Sequence, residues 1–133
     1  MLSSSSTTLR DGFDRQISYL RVSITDRCDF RCQYCMTENM RFLPRSEVLS
    51  IEEILRLARL FTRLGITKIR VTGGEPLIRK GVDTLLLELG RLNGLKELAI
   101  TTNGSQLKEK SQTLFRAGVS SINISLDSLR KER

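Results

Sequence analysis

The feature that most constrains the fold is a strand-then-helix pattern that recurs along the chain. Short stretches rich in aliphatic and β-branched residues predict four strands, at residues 17–24, 66–72, 96–101 and 119–125. Stretches with apolar residues at helical spacing separate them. Strands that alternate with helices of this length predict parallel βαβ units with right-handed crossovers.

Each predicted helix carries a recognisable start or stop signal. Ser50 and Glu53 have the spacing of a capping box, which would open the first helix. Gly65 follows its last apolar residue, and Gly94 and Gly118 take the same place after the second and third helices, near 82–93 and 107–117.

The side chains of all four strands divide into two faces. One phase is aliphatic: Leu20, Val22, Ile24, Ile69, Val71, Leu98, Ile100, Ile122 and Ile124. The other is polar: Arg21, Ser23, Lys68, Arg70, Thr72, Glu97, Thr101, Ser121, Asn123 and Ser125. A closed eight-stranded barrel usually fills its interior with branched aliphatic side chains. The pattern instead predicts an aliphatic face against the helices and a polar face that lines a wet lumen. A sheet with one solvated face is the alternative, although parallel sheets seldom leave a face bare.

Chain length limits how much of a barrel can form. The 133 residues suffice for one domain but fall short of the roughly 200 that a complete (β/α) barrel uses. We therefore expect an α/β fold, a partial and open (β/α) barrel of roughly four parallel strands and three helices. Residues 1–15 are expected to be a flexible lead-in, and 16–133 the barrel part.

The charge balance favours an anionic partner. Lys and Arg number 22 against 15 acidic residues, which gives a net charge of +7. The basic residues are dispersed, aromatic residues make up only 5%, and no nucleic-acid motif is present. A phosphate-bearing small molecule therefore fits as well as nucleic acid.

The chain contains no histidine, which excludes Ser-His-Asp triads, Cys-His pairs and HExxH metal sites. The polar N-terminal residues do not resemble a signal peptide, and no apolar run approaches the roughly 20 residues of a membrane span. The expected location is a reducing cytoplasm, without membrane contact.

All three cysteines lie in one short stretch, as Cys28, Cys32 and Cys35 with the spacing C-x3-C-x2-C. Three thiolates can hold three corners of a [4Fe–4S] cluster and leave one iron without a protein ligand. Zinc is the competing metal, but a fourth ligand would have to be a carboxylate such as Asp26 or Asp29. Reduced thiols also remain open, whereas the odd count argues against structural disulfides.

The cysteine spacing, with Tyr34 before the last cysteine, resembles the cluster loop of the radical S-adenosylmethionine (SAM) superfamily. Further motifs follow in one order: Gly-Gly-Glu-Pro at 73–76, Thr-Thr-Asn-Gly at 101–104 and Ser-Leu-Asp at 125–127. With Leu-Arg-Val-Ser at 20–23 and Ile-Arg-Val-Thr at 69–72, the series resembles the N-terminal part of the GTP 3′,8-cyclase family.

The resemblance implies roles for individual residues. Cys28, Cys32 and Cys35 would hold the catalytic cluster, while Tyr34, Gly74 and Ser125 would contact SAM. Gly74 could otherwise belong to an ordinary turn, and Ser125 could be a strand-end hydroxyl bonded to backbone.

The resemblance also places three residues of the polar face, Arg21, Arg70 and Thr101, against GTP, with Lys68 as a less certain companion. The residues themselves support an anion here, because like charges buried on one face are costly unless an anion joins them.

The implied reaction converts GTP to 3′,8-cyclo-7,8-dihydroguanosine triphosphate, the first step of molybdenum cofactor (molybdopterin) biosynthesis. SAM would bind the open iron, and a 5′-deoxyadenosyl radical would take the hydrogen from C3′ of GTP. Members of the family continue past this point to a second three-cysteine cluster, so a truncated chain is expected. Two alternatives remain: another radical SAM enzyme, such as a peptide-modifying one, or a non-enzymatic zinc-binding module.

The implied partners are GTP, a reductant for the cluster and the next enzyme of the pathway, cyclic pyranopterin monophosphate synthase. Neither nucleic acid nor a membrane is expected, and a homodimer is left open.

Overall fold

The computed structural model describes residues 9–26 and 49–125. Within them a single sheet contains four parallel strands in chain order: β1 Tyr19–Ser23, β2 Lys68–Thr72, β3 Glu97–Thr102 and β4 Ser121–Ile124. Three helices connect successive strands: α1 Ile51–Arg63, α2 Val82–Gly90 and α3 Leu107–Ala117. The expected α/β fold, an open parallel sheet with three helices, is confirmed.

The strand register keeps the two predicted faces intact across the sheet. Val22 pairs with Val71, which pairs with Ile100, so an aliphatic row crosses the strands. In the adjacent row Arg21 pairs with Arg70. Because a one-residue slip would exchange the faces, this register brings the polar side chains of different strands together.

The aliphatic face of the sheet packs against the helices and forms the core. Core residues that are less than 2% exposed come from both layers: Ile24, Ile69, Val71, Ile100, Leu85, Leu86 and Leu89. The two isoleucines of β4 are the exception, since Ile122 and Ile124 remain 43% and 49% exposed. The sheet is therefore covered on its aliphatic side up to β3.

The predicted capping box of α1 is confirmed. The Ser50 hydroxyl accepts from the Glu53 backbone N–H at 3.1 Å, and the Glu53 carboxylate accepts from the Ser50 N–H at 2.8 Å. The bond from the Ser50 backbone holds the pKa of the Glu53 carboxyl below its ordinary value. The stop signal of α3 is also confirmed, because Gly118 takes a left-handed conformation with a φ of 76°.

The predicted end of α2 is wrong. The sequence indicates a helix that runs to residue 93 and stops at Gly94, whereas α2 ends at Gly90. A Cβ on Gly90 would overlap the carbonyl oxygen of Ala117, so α2 and α3 approach each other too closely for any other residue. Tight turns follow, with the Arg91 N–H bonded to the Glu88 carbonyl at 3.1 Å.

The chain before β1 contains a hydrogen-bonded turn. The Ile17 N–H donates to the Leu9 carbonyl at 2.8 Å, and the Leu9 N–H donates to Leu64 at 3.2 Å. The Asp11 carboxylate accepts from the backbone N–H groups of Phe13 and Arg15. The expected lead-in thus includes an ordered turn from residue 9, while its boundary with the barrel part stays a prediction.

In the described ranges, no helix has the length and apolar character needed to cross a membrane.

Candidate functional site

The carboxyl ends of the four strands meet at one edge of the sheet, where ligands of parallel α/β folds usually bind. Backbone hydrogen bonds tie the segments beyond the strands to one another. The Ile24 N–H donates to Thr72 at 3.0 Å, and the Ser125 N–H donates to Thr102 at 2.9 Å. The edge is therefore a connected surface rather than four separate loops.

The glycine pair after β2 lies against the chain that leaves β1. A Cβ on Gly73 would lie 2.5 Å from the Thr25 carbonyl oxygen, and the residue has a φ of 148°. The Gly74 N–H donates to the same oxygen at 2.9 Å. The absence of a side chain at Gly73 thus makes room for Thr25 of the chain itself.

Glu75 joins the glycine loop to the segment after β3. Its side chain is fully buried, and one carboxylate oxygen accepts from the Thr102 hydroxyl at 2.7 Å and the Leu77 N–H at 3.1 Å. The other accepts from the Asn103 N–H at 2.6 Å. All these donors are neutral, and three hydrogen bonds offset the cost of burying the carboxylate. Glu75 therefore holds two ligand-side loops together.

Arg79 bridges the two described positions that flank the cysteine segment. Its Nη1 donates to the Ile24 carbonyl at 2.6 Å, and its Nη2 donates to the Leu49 carbonyl at 2.5 Å. Burial lowers the pKa of the guanidinium from its ordinary value, yet arginine stays charged at any physiological pH. One side chain thus connects the chain leaving β1 with the chain entering α1.

The cysteine segment itself lies outside the described residues. Cys28, Cys32, Cys35 and Tyr34 all fall there, so their roles as cluster ligands and SAM contact stay predictions. In the remainder, residues 9–26 and 49–125, no three Cys, Asp or Glu side chains are grouped so as to hold a metal ion.

Arg70 lies at the centre of the polar face and contacts side chains from three other strands. Its Nε donates to the Tyr19 hydroxyl of β1 at 2.7 Å. Its Nη1 donates to the Thr101 hydroxyl of β3 at 3.3 Å and to the Asn123 side-chain oxygen of β4 at 2.9 Å. The residue is only 9% exposed. The structure therefore brings together Arg70 and Thr101, two of the three residues expected to bind substrate.

No carboxylate within residues 9–26 and 49–125 neutralises the charge of Arg70. Among the described residues it forms no ion pair, and its partners are two hydroxyls and an amide. A buried cation without a counter-ion is costly, so this position favours a bound anion. Arg21, its in-register neighbour, lies on the same face, is exposed and likewise forms no ion pair within the described part.

Lys68 differs from the two arginines because a carboxylate of the described residues lies beside it. Its Nζ lies 3.7 Å from the Glu97 carboxylate and 5.0 Å from the centroid of the Tyr19 ring. Its charge is therefore less available to a ligand than that of Arg70.

The two expected SAM contacts that are described lie beyond the carboxyl ends of β2 and β4, with β3 between them. Gly74 is exposed, and its carbonyl accepts no hydrogen bond from the described residues. Ser125 is also exposed, and only its backbone N–H is bonded within the described ranges. With respect to residues 9–26 and 49–125, a carbonyl and a hydroxyl are thus left unbonded at this edge, and their expected contact with SAM stays a prediction.

Sequence reasoning missed the contributions of Tyr19, Glu75 and Arg79. Tyr19 shares the parity of Arg21, so the polar face could have included it. Glu75 stands inside a motif that was recognised, but a glutamate at a strand end gives no sign of burial. No pattern in the sequence indicates the contacts of Arg79.

Comparison with known proteins decides the family. A family model described as the radical SAM superfamily matches residues 22–133, which is most of the chain. The chain belongs to the radical SAM superfamily. Its cofactors are accordingly a [4Fe–4S] cluster and SAM, and the superfamily consists of enzymes.

Among sequence relatives, GTP 3′,8-cyclase 2 of Pseudomonas aeruginosa is 58% identical to this radical SAM chain over 129 residues, 97% of the chain and 39% of the relative. GTP 3′,8-cyclase of Pseudomonas putida is 58% identical over 128 residues, 96% of the chain and 38% of the relative. The chain thus spans about two fifths of the length of these relatives.

Two solved structures share the fold. Streptococcus suis SuiB bound to S-adenosylmethionine superimposes with a TM-score of 0.67 at 22% identity, over 86% of this chain and 26% of that one. BtrN in an open conformation gives 0.62 at 20% identity, over 90% of this chain and 54% of that one.

Proposed function

We propose that this chain is the N-terminal part of a GTP 3′,8-cyclase, which converts GTP to 3′,8-cyclo-7,8-dihydroguanosine triphosphate in molybdenum cofactor biosynthesis. The identity of 58% to proteins of that name, extended over nearly the whole chain, supports the proposal. The matched region includes both the cysteine segment and the polar face.

The observation that carries the substrate assignment is the buried charge of Arg70, which no carboxylate in the described part of the chain compensates. A triphosphate would supply the anion that this position lacks, and a guanidinium suits phosphate oxygens in geometry as well as in charge. Arg21 lies in register beside it, and Thr101 contacts it directly. We assign Arg21, Arg70 and Thr101 to the triphosphate of GTP, with Lys68 as a weaker contributor.

The cofactors would lie at the carboxyl edge of the sheet. Cys28, Cys32 and Cys35 would hold the cluster, with Tyr34, Gly74 and Ser125 directed to SAM. When bound, the cluster and SAM supply the organic radical that starts the reaction. The protein's part is to hold GTP so that its ribose reaches that radical. Because Arg70 lies on β2 and Gly73 and Gly74 directly follow the strand, one strand would orient both ligands.

The proposal includes a reductant for the cluster and a functional link to the next enzyme of the pathway, cyclic pyranopterin monophosphate synthase. A cytoplasmic location suits both the reduced cluster and the nucleotide substrate.

The test is nucleotide binding by the full 133-residue chain after anaerobic reconstitution with iron and sulfide. We expect calorimetry to give a dissociation constant for GTP at least tenfold below that for guanosine, because the triphosphate supplies the anion for Arg70. Equal affinity for both ligands, or binding of neither, would contradict the substrate assignment. Stoichiometric zinc without iron would instead favour the zinc-module alternative.

A further inference from the structure

The guanidinium of Arg70 is held in one orientation by the strands on either side. Its Nε and Nη1 groups carry three N–H bonds, and the Tyr19 hydroxyl, the Thr101 hydroxyl and the Asn123 amide oxygen accept from them. The two shortest contacts, 2.7 Å to Tyr19 and 2.9 Å to Asn123, come from strands that lie on either side of β2. Contacts at both Nε and Nη1 therefore fix the plane of the guanidinium.

The remaining donor group of Arg70 is left for a ligand. Its Nη2 donates to no group in the part of the chain that the structure describes. Among those residues, the one fully buried side-chain polar atom without a hydrogen bond belongs to Asp83. The Nη2 of Arg70 is therefore accessible to solvent. The Tyr19 hydroxyl accepts from Arg70 and so keeps its own hydrogen to donate. An anion on this face would meet an Arg70 N–H pair and a phenol hydrogen together.

We propose that Tyr19 and Asn123 are positioning residues that pre-orient Arg70 for the triphosphate of the nucleotide; the inference rests on the function proposed above. An arginine that is free to rotate loses much side-chain entropy when it binds, and a pre-oriented one loses little. Tyr19 has a second part in the arrangement, because its ring also lies under the Lys68 ammonium. Removal of its hydroxyl alone separates the two contributions.

The experiment compares the wild-type chain with Tyr19→Phe and Asn123→Ala, each reconstituted anaerobically. Calorimetry measures affinity for GTP, guanosine and inorganic tripolyphosphate, and nitrogen-15 NMR follows the Arg70 Nε–H signal without ligand. We expect Tyr19→Phe to weaken GTP and tripolyphosphate binding about tenfold, as the loss of one charge-assisted hydrogen bond implies. Guanosine affinity should not change, and the Arg70 signal should show faster exchange with water. Asn123→Ala should act in the same direction.

Ser121→Ala is the matched control. Ser121 lies on the same face of β4 and has no hydrogen bond to Arg70, so its removal should alter neither the affinities nor the Arg70 signal. Wild-type GTP affinity and an unchanged Arg70 signal in Tyr19→Phe would overturn the positioning proposal alone.

Failure of the proposed function would look different. If wild type bound tripolyphosphate but discriminated against GTP, the nucleotide assignment would fail while the positioning proposal stood. If wild type bound neither GTP nor tripolyphosphate, both the proposed function and the positioning proposal would be overturned, because Arg70 would then bind no anion.

Discussion

Replacement of Arg70 by methionine should weaken GTP binding by about a hundredfold, which corresponds to the loss of one or two hydrogen bonds to a charged ligand. Methionine keeps an unbranched apolar stem that reaches about as far as the arginine Nε, but it removes the charge and all the donors. Guanosine affinity should stay the same, because the nucleoside presents no phosphate. The measurement is calorimetric titration of the reconstituted chain with both ligands.

The same substitution should not destabilise the fold, although it weakens GTP binding. Without ligand, Arg70 is a buried cation with neutral partners, so its replacement by an apolar side chain should leave the melting temperature unchanged or raise it. Arg56→Met on the exposed face of α1 removes the same charge and should change neither quantity. An Arg70→Met chain that stayed folded and bound GTP normally would refute the phosphate assignment. A variant that unfolded would contradict the stability prediction.

Replacement of Glu75 by glutamine should lower the free energy of unfolding by roughly 2 kcal/mol, because at least one buried N–H or hydroxyl loses its acceptor. In one orientation the glutamine NH2 group would face the Asn103 N–H. In the other orientation it would face the Thr102 hydroxyl and the Leu77 N–H. For a chain of this size the corresponding fall in melting temperature is about 5–10 °C. Urea unfolding followed by circular dichroism measures the free energy.

Glu52→Gln makes the same chemical change at an exposed position of α1 and should cost under about 0.5 kcal/mol. The pair of variants separates a loop-joining role of Glu75 from ligand contact. If the two variants were equally stable and Glu75→Gln bound SAM more weakly, Glu75 would act by contacting the cofactor. Its buried hydrogen bonds would then contribute little to stability.

The strand faces could be predicted from sequence because their cause is local. A parallel strand with aliphatic side chains at every second position can bury only one face, and the register then follows from that requirement. The capping box of Ser50 and the stop at Gly118 were predicted for the same reason, since each depends on a few neighbouring residues. Arg70 and Thr101 were grouped correctly because their phase alone puts them on one face.

The errors arose where a distant part of the chain decides the structure. Gly90, the last residue of α2, lies against Ala117 of another helix, a contact that the sequence pattern of α2 does not contain. The contacts of Arg79 with Ile24 and Leu49 likewise join positions that are far apart in sequence. Such contacts leave no periodicity or motif to read. The cluster ligands and Tyr34 stay predictions, because they lie outside the described residues.

The most direct test of the whole account is electron paramagnetic resonance of the chain, anaerobically reconstituted with iron and sulfide and then reduced, before and after addition of SAM. The account predicts about four irons per chain, the spectrum of a reduced [4Fe–4S] cluster, and a change in that spectrum when SAM binds the open iron. A chain that assembled no cluster, or a cluster whose spectrum did not respond to SAM, would contradict it.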